Sequence, residues 1–99
     1  MRFDWDPNKA ERNIAKHSVS FEHAILAFDD PFALRAEDLK HSNDLEKRYW
    51  HIGESDHGVL IVIFTIRRKK SVEFYRIISA RRANRKERYL YEVNKRVSI

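Results

Sequence analysis

Arg76 is the first residue whose type and position could do chemistry. From Val72 to Ser79 the side chains alternate, with Val72, Phe74, Arg76 and Ile78 on one face and Glu73, Tyr75, Ile77 and Ser79 on the other. A guanidinium among apolar strand neighbours costs desolvation unless it is paired or faces a cleft. Two readings follow: a structural pair with a carboxylate such as Glu87, or a cation held by rigid sheet to clamp a phosphate. The run Arg81-Arg82-Ala83-Asn84-Arg85-Lys86-Glu87-Arg88 comes directly after. Read as helix, it sets Arg81, Arg85 and Arg88 in one stripe, with Arg82, Lys86 and Tyr89 in the next. Cations beside an aromatic suit a nucleic-acid backbone through ion pairs and base stacking, although a solvated helix face has the same composition.

The remaining candidates narrow the chemistry by what they lack. His17, His23, His41, His51 and His57 do not fall at metal-ligand spacing, so no metal and no cofactor are expected. His17 follows Lys16 at the end of the first helix. It is either a cationic helix cap or a group that titrates near neutral pH beside other cations and can move protons. The serines have no triad partners at plausible spacing. There is no cysteine, which excludes thiol catalysis, disulfide frameworks and zinc-finger ligand sets. Two glycines cannot supply a phosphate-cradling loop. RNA cleavage fits what remains. The substrate's own 2′-OH attacks the adjacent phosphate, and the protein supplies cations, a base and an acid.

Charge points to the same kind of substrate. Residues 1–66 hold 8 basic and 12 acidic side chains, a net of −4, and residues 67–99 hold 12 and 3, a net of +9. The overall +5 therefore hides a strongly basic last third, the usual footprint of a polyanion site. At 42% hydrophobic and 35% charged, the 99 residues suit one folded domain, residues 1–99, rather than a disordered chain or a membrane protein. The opening residues contain no apolar signal region and the longest apolar run, Val59 to Phe64, cannot span a bilayer, so a cytoplasmic setting without membrane contact is expected.

These residues need elements to position them. Asp6-Pro7 is a cap followed by proline at the first helical position, stapled by Trp5 and Ala10, and predicts a helix over 7–17 with Ala10, Ile14 and His17 on one side. Ser20 caps a second helix, stapled by Val19 and Ala24, that ends at Asp29-Asp30-Pro31. Phe32 to Arg35 is a short strand and Glu37 to Asp44 a polar loop. From Lys47 the period becomes two, Asp56-His57-Gly58 is a turn, and Val59 to Ile66 is a central strand covered on both faces. Arg67 to Ser71 is a basic turn before the strand of Arg76. Ala80 to Lys95 is a last helix with Ala83, Leu90, Val93 and Val97 as its stripe. The expected fold is α+β: two N-terminal helices, a three- to four-stranded antiparallel meander and a C-terminal helix.

The chain resembles a known family along most of its length. Phe3-Asp4-Trp5-Asp6-Pro7-Asn8-Lys9, Asn13, Lys16-His17-Ser18-Val19-Ser20-Phe21-Glu22, Ala24 and Phe28-Asp29-Asp30 are similar to the opening of the BrnT toxins of bacterial type II toxin–antitoxin systems. Arg48 with Ile52-Gly53, and Arg76-Ile77-Ile78-Ser79-Ala80-Arg81-Arg82-Ala83 with Glu87 and Tyr91, resemble their later markers. Ser18 stands where the family usually has glycine, and His23 where it usually has a second acid. The resemblance implies a RelE-like fold and an endoribonuclease that halts translation. It also implies a cognate ribbon-helix-helix antitoxin (BrnA-like), with operator DNA bound only through the complex, and RNA as the partner, free or ribosome-associated. Carried over, it makes Lys16, His17, Arg48, Arg76 and Arg81 the basic active surface, with Glu73 as an acid–base group. Arg76 and Arg81 would hold the scissile phosphate, His17 or Glu73 would move protons, and Arg82, Arg85 and Arg88 would bind RNA. A non-catalytic nucleic-acid-binding module, or a docking module for an acidic partner, would use the same basic surface without an acid–base group.

Overall fold

The computed structural model describes residues 1–98. Strand β1 (Arg2–Asp4) leads into helix α1 (Pro7–His17), then α2 (Phe21–Ala24), which tightens into a 3-10 turn over Ile25–Asp29. Strands β2 (Leu34–Glu37), β3 (Arg48–Ser55), β4 (Gly58–Lys69) and β5 (Val72–Arg82) follow, and helix α3 (Arg85–Ser98) closes the order. The sheet has five strands in the order β1-β5-β4-β3-β2. It is mixed, because β1 runs parallel to β5 while the other pairs are antiparallel. The expected three to four antiparallel strands are thus corrected by one short parallel strand at the edge. No helix among the described residues is long and apolar enough to cross a membrane.

The start of α1 forms as its cap predicts. The Asp6 carboxylate accepts from the Asn8 N–H at 2.8 Å, and the chain turns into the helix at Pro7. The buried face differs from expectation, since Ala10 and Asn13 are buried while Ile14 is about half exposed. Ser18 ends the helix in the left-handed region at φ 59°, its N–H donating to the Ile14 carbonyl at 2.8 Å. A serine therefore makes the stop that glycine makes more cheaply. Ser20 caps α2 by accepting from the His23 N–H at 3.0 Å.

Helices α1 and α2 cover one face of the sheet. Ala10, Val19, Phe21 and Ala24 pack on Leu60, Val62, Ile77 and Ala80, which alternate with outward residues on β4 and β5. The 3-10 turn crosses β3 so closely that a Cβ on Gly53 would sit 2.4 Å from the Ala27 carbonyl oxygen. Buried His51, on the same strand, has Nε2 2.7 Å from that oxygen, and burial lowers its pKa from the usual imidazole value. His51 is therefore neutral near pH 7 and donates Nε2–H to Ala27, leaving Nδ1 to accept from Arg35.

The second face is only partly covered. Helix α3 packs there through Tyr91, which is fully buried with Ile52, Val59, Ile61 and Ala83. Its hydroxyl donates to Asp30, and Asn94 donates to the Phe32 carbonyl at 3.0 Å. Strand β5 continues to Arg82, so the helix begins at Arg85 and not at Ala80. The expected stripe shifts accordingly, with Leu90 and Val97 largely exposed and Tyr91 taking the core position. The start is fixed by a reciprocal cap in which Asn84 Oδ1 accepts from the Glu87 N–H and Glu87 Oε1 accepts from the Asn84 N–H, both at 2.8 Å. Beyond Tyr91 the face stays open over β3, β4 and β5.

Candidate active site

A β-bulge on β5 builds the site. Ile63 pairs with Ser79 but Phe64 pairs with Ile77, so Ile78 is the extra residue. Strict alternation from Arg76 would have put Ala80 on the open face and Arg81 in the core. The bulge reverses this. Ala80 is fully buried under the helices, and Arg81 emerges on the open face with Arg76. Strand β1 pairs only with residues 74–76, so beyond the bulge the edge of β5 is free of it. The amide of Asn13 occupies that edge. Its Nδ2 donates to the Ala80 carbonyl at 2.7 Å and the Val19 carbonyl at 2.8 Å, while its Oδ1 accepts from the Ala80 N–H at 3.1 Å. One buried side chain thereby ties the end of α1 to the bulge.

Two cavities meet at Ile78 and Ser79. One, of about 320 Å³, is lined on the α1 side by Lys9, Arg12, Asn13, Lys16 and His17. The other, of about 370 Å³, holds Arg48, Trp50, Arg81, His41 and Asp38 over a floor of Ile61 and Ile63. His17 is pushed below the usual imidazole pKa, first by the burial it has and then by the charges of Lys16 and Arg81. It is neutral at pH 7 and can accept a proton. Its response to Arg81 places the two cavities in electrostatic contact.

Arg81 is fixed by Glu87 in a two-pronged pair, Nη1 to Oε1 at 2.8 Å and Nη2 to Oε2 at 2.9 Å. Each partner holds the other in its charged form, the guanidinium raised and the carboxyl lowered mainly by their shared hydrogen bonds. Glu87 is thus the partner of Arg81, while Arg76 pairs with Asp4, Nη1 to Oδ2 at 3.2 Å. Arg76 lies outside both cavities, in a cross-strand row with Asp4, Thr65 and Arg48 on the open face. The Arg48 guanidinium lies 3.4 Å from Glu46, which also takes Arg67 at 3.3 Å.

The loop before β3, read from sequence as polar connection, contributes the least expected group. His41 Nδ1 lies 2.8 Å from Asp38 Oδ2. The Asp38 N–H donates to the Arg48 carbonyl at 2.7 Å, and the Arg48 N–H to Ser42 Oγ at 2.8 Å, so the loop is folded back on the first residue of β3. The loop thus sets an imidazole braced by a carboxylate in the same cavity as Arg48 and Arg81, an arrangement with the groups that proton transfer needs. The spacing of Asp38 and His41, one helical turn apart, was its only sign in the sequence.

Several predicted residues lie elsewhere. Glu73 sits at the far hairpin end of β5, paired with Arg68 at 3.1 Å, roughly 20 Å from Ser79 at strand rise. Arg82, Arg85 and Arg88 are exposed and line neither cavity. Arg81 and Arg85 share no helical stripe, since Arg81 is on the strand.

The arrangement defines a class: a small α+β domain that gathers arginines, lysines and imidazoles in two open clefts on its sheet. The family described as ribonuclease toxin, BrnT, of type II toxin-antitoxin systems matches residues 5–87, and the chain belongs to it. It is therefore a ribonuclease toxin whose system supplies RNA as substrate and a cognate antitoxin as partner. Among curated proteins no match is found.

Proposed function

We propose that the chain cleaves single RNA strands without a metal, at the junction of the two cavities on either side of Ile78 and Ser79. Arg81 and Arg48 hold the scissile phosphate and the charge that grows on it. A neutral imidazole takes the proton of the 2′-OH as its oxygen bonds to phosphorus. An imidazolium gives a proton to the 5′ oxygen as its bond to phosphorus breaks, which leaves a 2′,3′-cyclic phosphate and a 5′-hydroxyl. His17 and His41 are the two groups available for these steps, and Lys16 adds charge beside His17. Arg76 takes a neighbouring phosphate rather than the scissile one. Glu73 has no part in proton transfer. The single observation that carries this reading is the bulge, which brings Arg81 out beside Arg48 and His41 while Asn13 holds His17 at the same two residues.

The finer setting follows the resemblance: a RelE-like toxin acting in the cytoplasm, on free or ribosome-held RNA. It would be neutralised by a ribbon-helix-helix antitoxin that bridges the complex to operator DNA. The test is cleavage of a defined RNA in the presence of EDTA by the wild type and by Arg81→Ala, His41→Ala and His17→Ala, with circular dichroism as a check on folding. Arg81→Ala should lose about 10²–10³ in rate and each histidine variant about 10²-fold or more, with cyclic phosphate as the wild-type product. Full activity in folded Arg81→Ala, or RNA binding without cleavage, refutes it.

A further inference from the structure

The open face carries cations well beyond the cleavage site, and they end in a cleft that the reaction does not use. At the tip of the β4–β5 hairpin, a cavity of about 320 Å³ is lined by Arg2, Lys69, Lys70, Val72 and Phe74 among others, and by Asp4, whose carboxylate is paired with Arg76. Arg2 comes from β1, in register with Phe74. Lys69 lies opposite Val72 across the hairpin. Lys69 and Lys70 are exposed, Val72 is 40% exposed, and Phe74 is half-buried with its ring on the open face. An apolar wall with an aromatic ring, rimmed by three cations, matches a nucleobase with its phosphates.

The turn itself is unusual in a way that favours this reading. Lys70 and Ser71 occupy the two-residue loop with φ of 50° and 65°. Such loops are normally made by Asn-Gly or its equivalents, because side chains strain at positive φ. A lysine stands where turn chemistry favours asparagine or glycine, which sets a cation at the tip of the hairpin beside Lys69.

Between this cleft and the bulge the same face continues without a helix over it. From Phe74 the path meets Arg67 on β4 and then Arg76 and Arg48 in their shared row. The two ends are roughly 20–25 Å apart at strand rise. We propose that this hairpin-end cleft is a distal anchor for single-stranded RNA, in which Phe74 stacks a base and Arg2, Lys69 and Lys70 hold phosphates several nucleotides from the one cleaved at Arg81. The proposal rests on the RNA-cleaving function above and extends it to substrate length.

The test uses 2′-O-methyl RNA, which lacks the attacking hydroxyl, so binding is read separately from cleavage. Oligonucleotides of about three to about ten residues are titrated by fluorescence anisotropy against the wild type, Lys69→Gln/Lys70→Asn, and Lys69→Arg/Lys70→Arg. Asparagine suits positive φ, so the neutralised chain should keep its hairpin. The wild type should gain affinity of about tenfold or more once the strand exceeds roughly five nucleotides. That gain should vanish in the neutralised variant, return in the arginine variant, and carry a salt slope steeper by about 1.4, as two phosphate contacts to a single strand require. Equal affinities of wild type and neutralised variant at every length, or tighter binding of duplex than of single strand, overturn the anchor. A wild type that binds in this length-dependent way but cleaves no unmodified RNA refutes the proposed function and leaves the anchor standing.

Discussion

Replacing Asn13 by alanine tests whether one buried amide holds the end of α1 that carries His17 against the β5 bulge. The side chain makes three hydrogen bonds of 2.7, 2.8 and 3.1 Å, all to backbone groups of Ala80 and Val19. Truncation strips partners from one N–H and two carbonyls in a position that is 6% exposed. A buried polar group left unsatisfied costs about 1–3 kcal/mol, and Val19 and Ala80 are themselves almost fully buried. Water entering at the nearby cavity recovers part of this, so Asn13→Ala should lose about 2–4 kcal/mol. For a domain near 100 residues that is a fall in Tm of roughly 10–25 °C. Asn13→Asp should be at least as damaging, because a carboxylate would face two carbonyl oxygens where the amide nitrogen donates. Urea denaturation followed by circular dichroism measures both. A loss below about 1 kcal/mol for Asn13→Ala would refute the argument, since no network of three buried bonds could then be holding the edge.

Other perturbations read other parts of the fold. Ser18→Gly should stabilise by about 0.5–1 kcal/mol in the same denaturation assay, because glycine adopts the left-handed stop without strain. Gly53→Ala should cost about 2–3 kcal/mol or misfold the chain, because its methyl group meets the Ala27 carbonyl where the 3-10 turn crosses β3. His51 has a lowered pKa in the folded chain, so its contribution to stability is full above the unfolded value near 6.5 and is lost as pH falls. Denaturation midpoints should therefore drop on going below pH 6.5, and a chain whose stability is flat from pH 7 to pH 5 would contradict the neutral, buried imidazole.

How much of this could be read before the structure depends on how local the signal was. Helix α1 was readable because Asp6, Pro7 and the Trp5–Ala10 staple act within one turn. Gly58 and the flanking alternation gave the β3–β4 hairpin for the same reason. Three residues of β1 carry no period, and their partner is more than 70 positions away on β5, so the parallel strand had no local signature. The misplaced start of α3 came from composition: Arg81 and Arg82 favour helix as readily as strand, while the reciprocal cap of Asn84 and Glu87 was present and marked the true boundary. The bulge at Ile78 is a register event between strands, invisible in either strand alone, and it alone decides which face Arg81 takes. The imidazole of His41 was hidden for a related reason, because a polar loop acquires a direction only when Ser42 and Asp38 fold it back on Arg48.

The split of charge along the chain also changes meaning in three dimensions. The basic last third is not a patch facing an acidic scaffold. Carboxylates from the acidic part reach into it, Asp4 to Arg76 and Glu46 to Arg67, while Glu46 also takes Arg48 from its own part of the chain. These pairs are partly exposed, and pairs of that kind contribute about 0–1 kcal/mol, too little to explain stability. Their geometry explains more. Each holds a guanidinium upright on a sheet face at an energy that a phosphate can readily displace. Arg81 is the exception, gripped by both oxygens of a Glu87 that also caps α3. The one arginine beside both imidazole-bearing cavities is thus the one locked in place, while those along the path to the hairpin stay exchangeable. That division is what a chain needs if it must position one phosphate tightly and release the rest of its RNA after the cut.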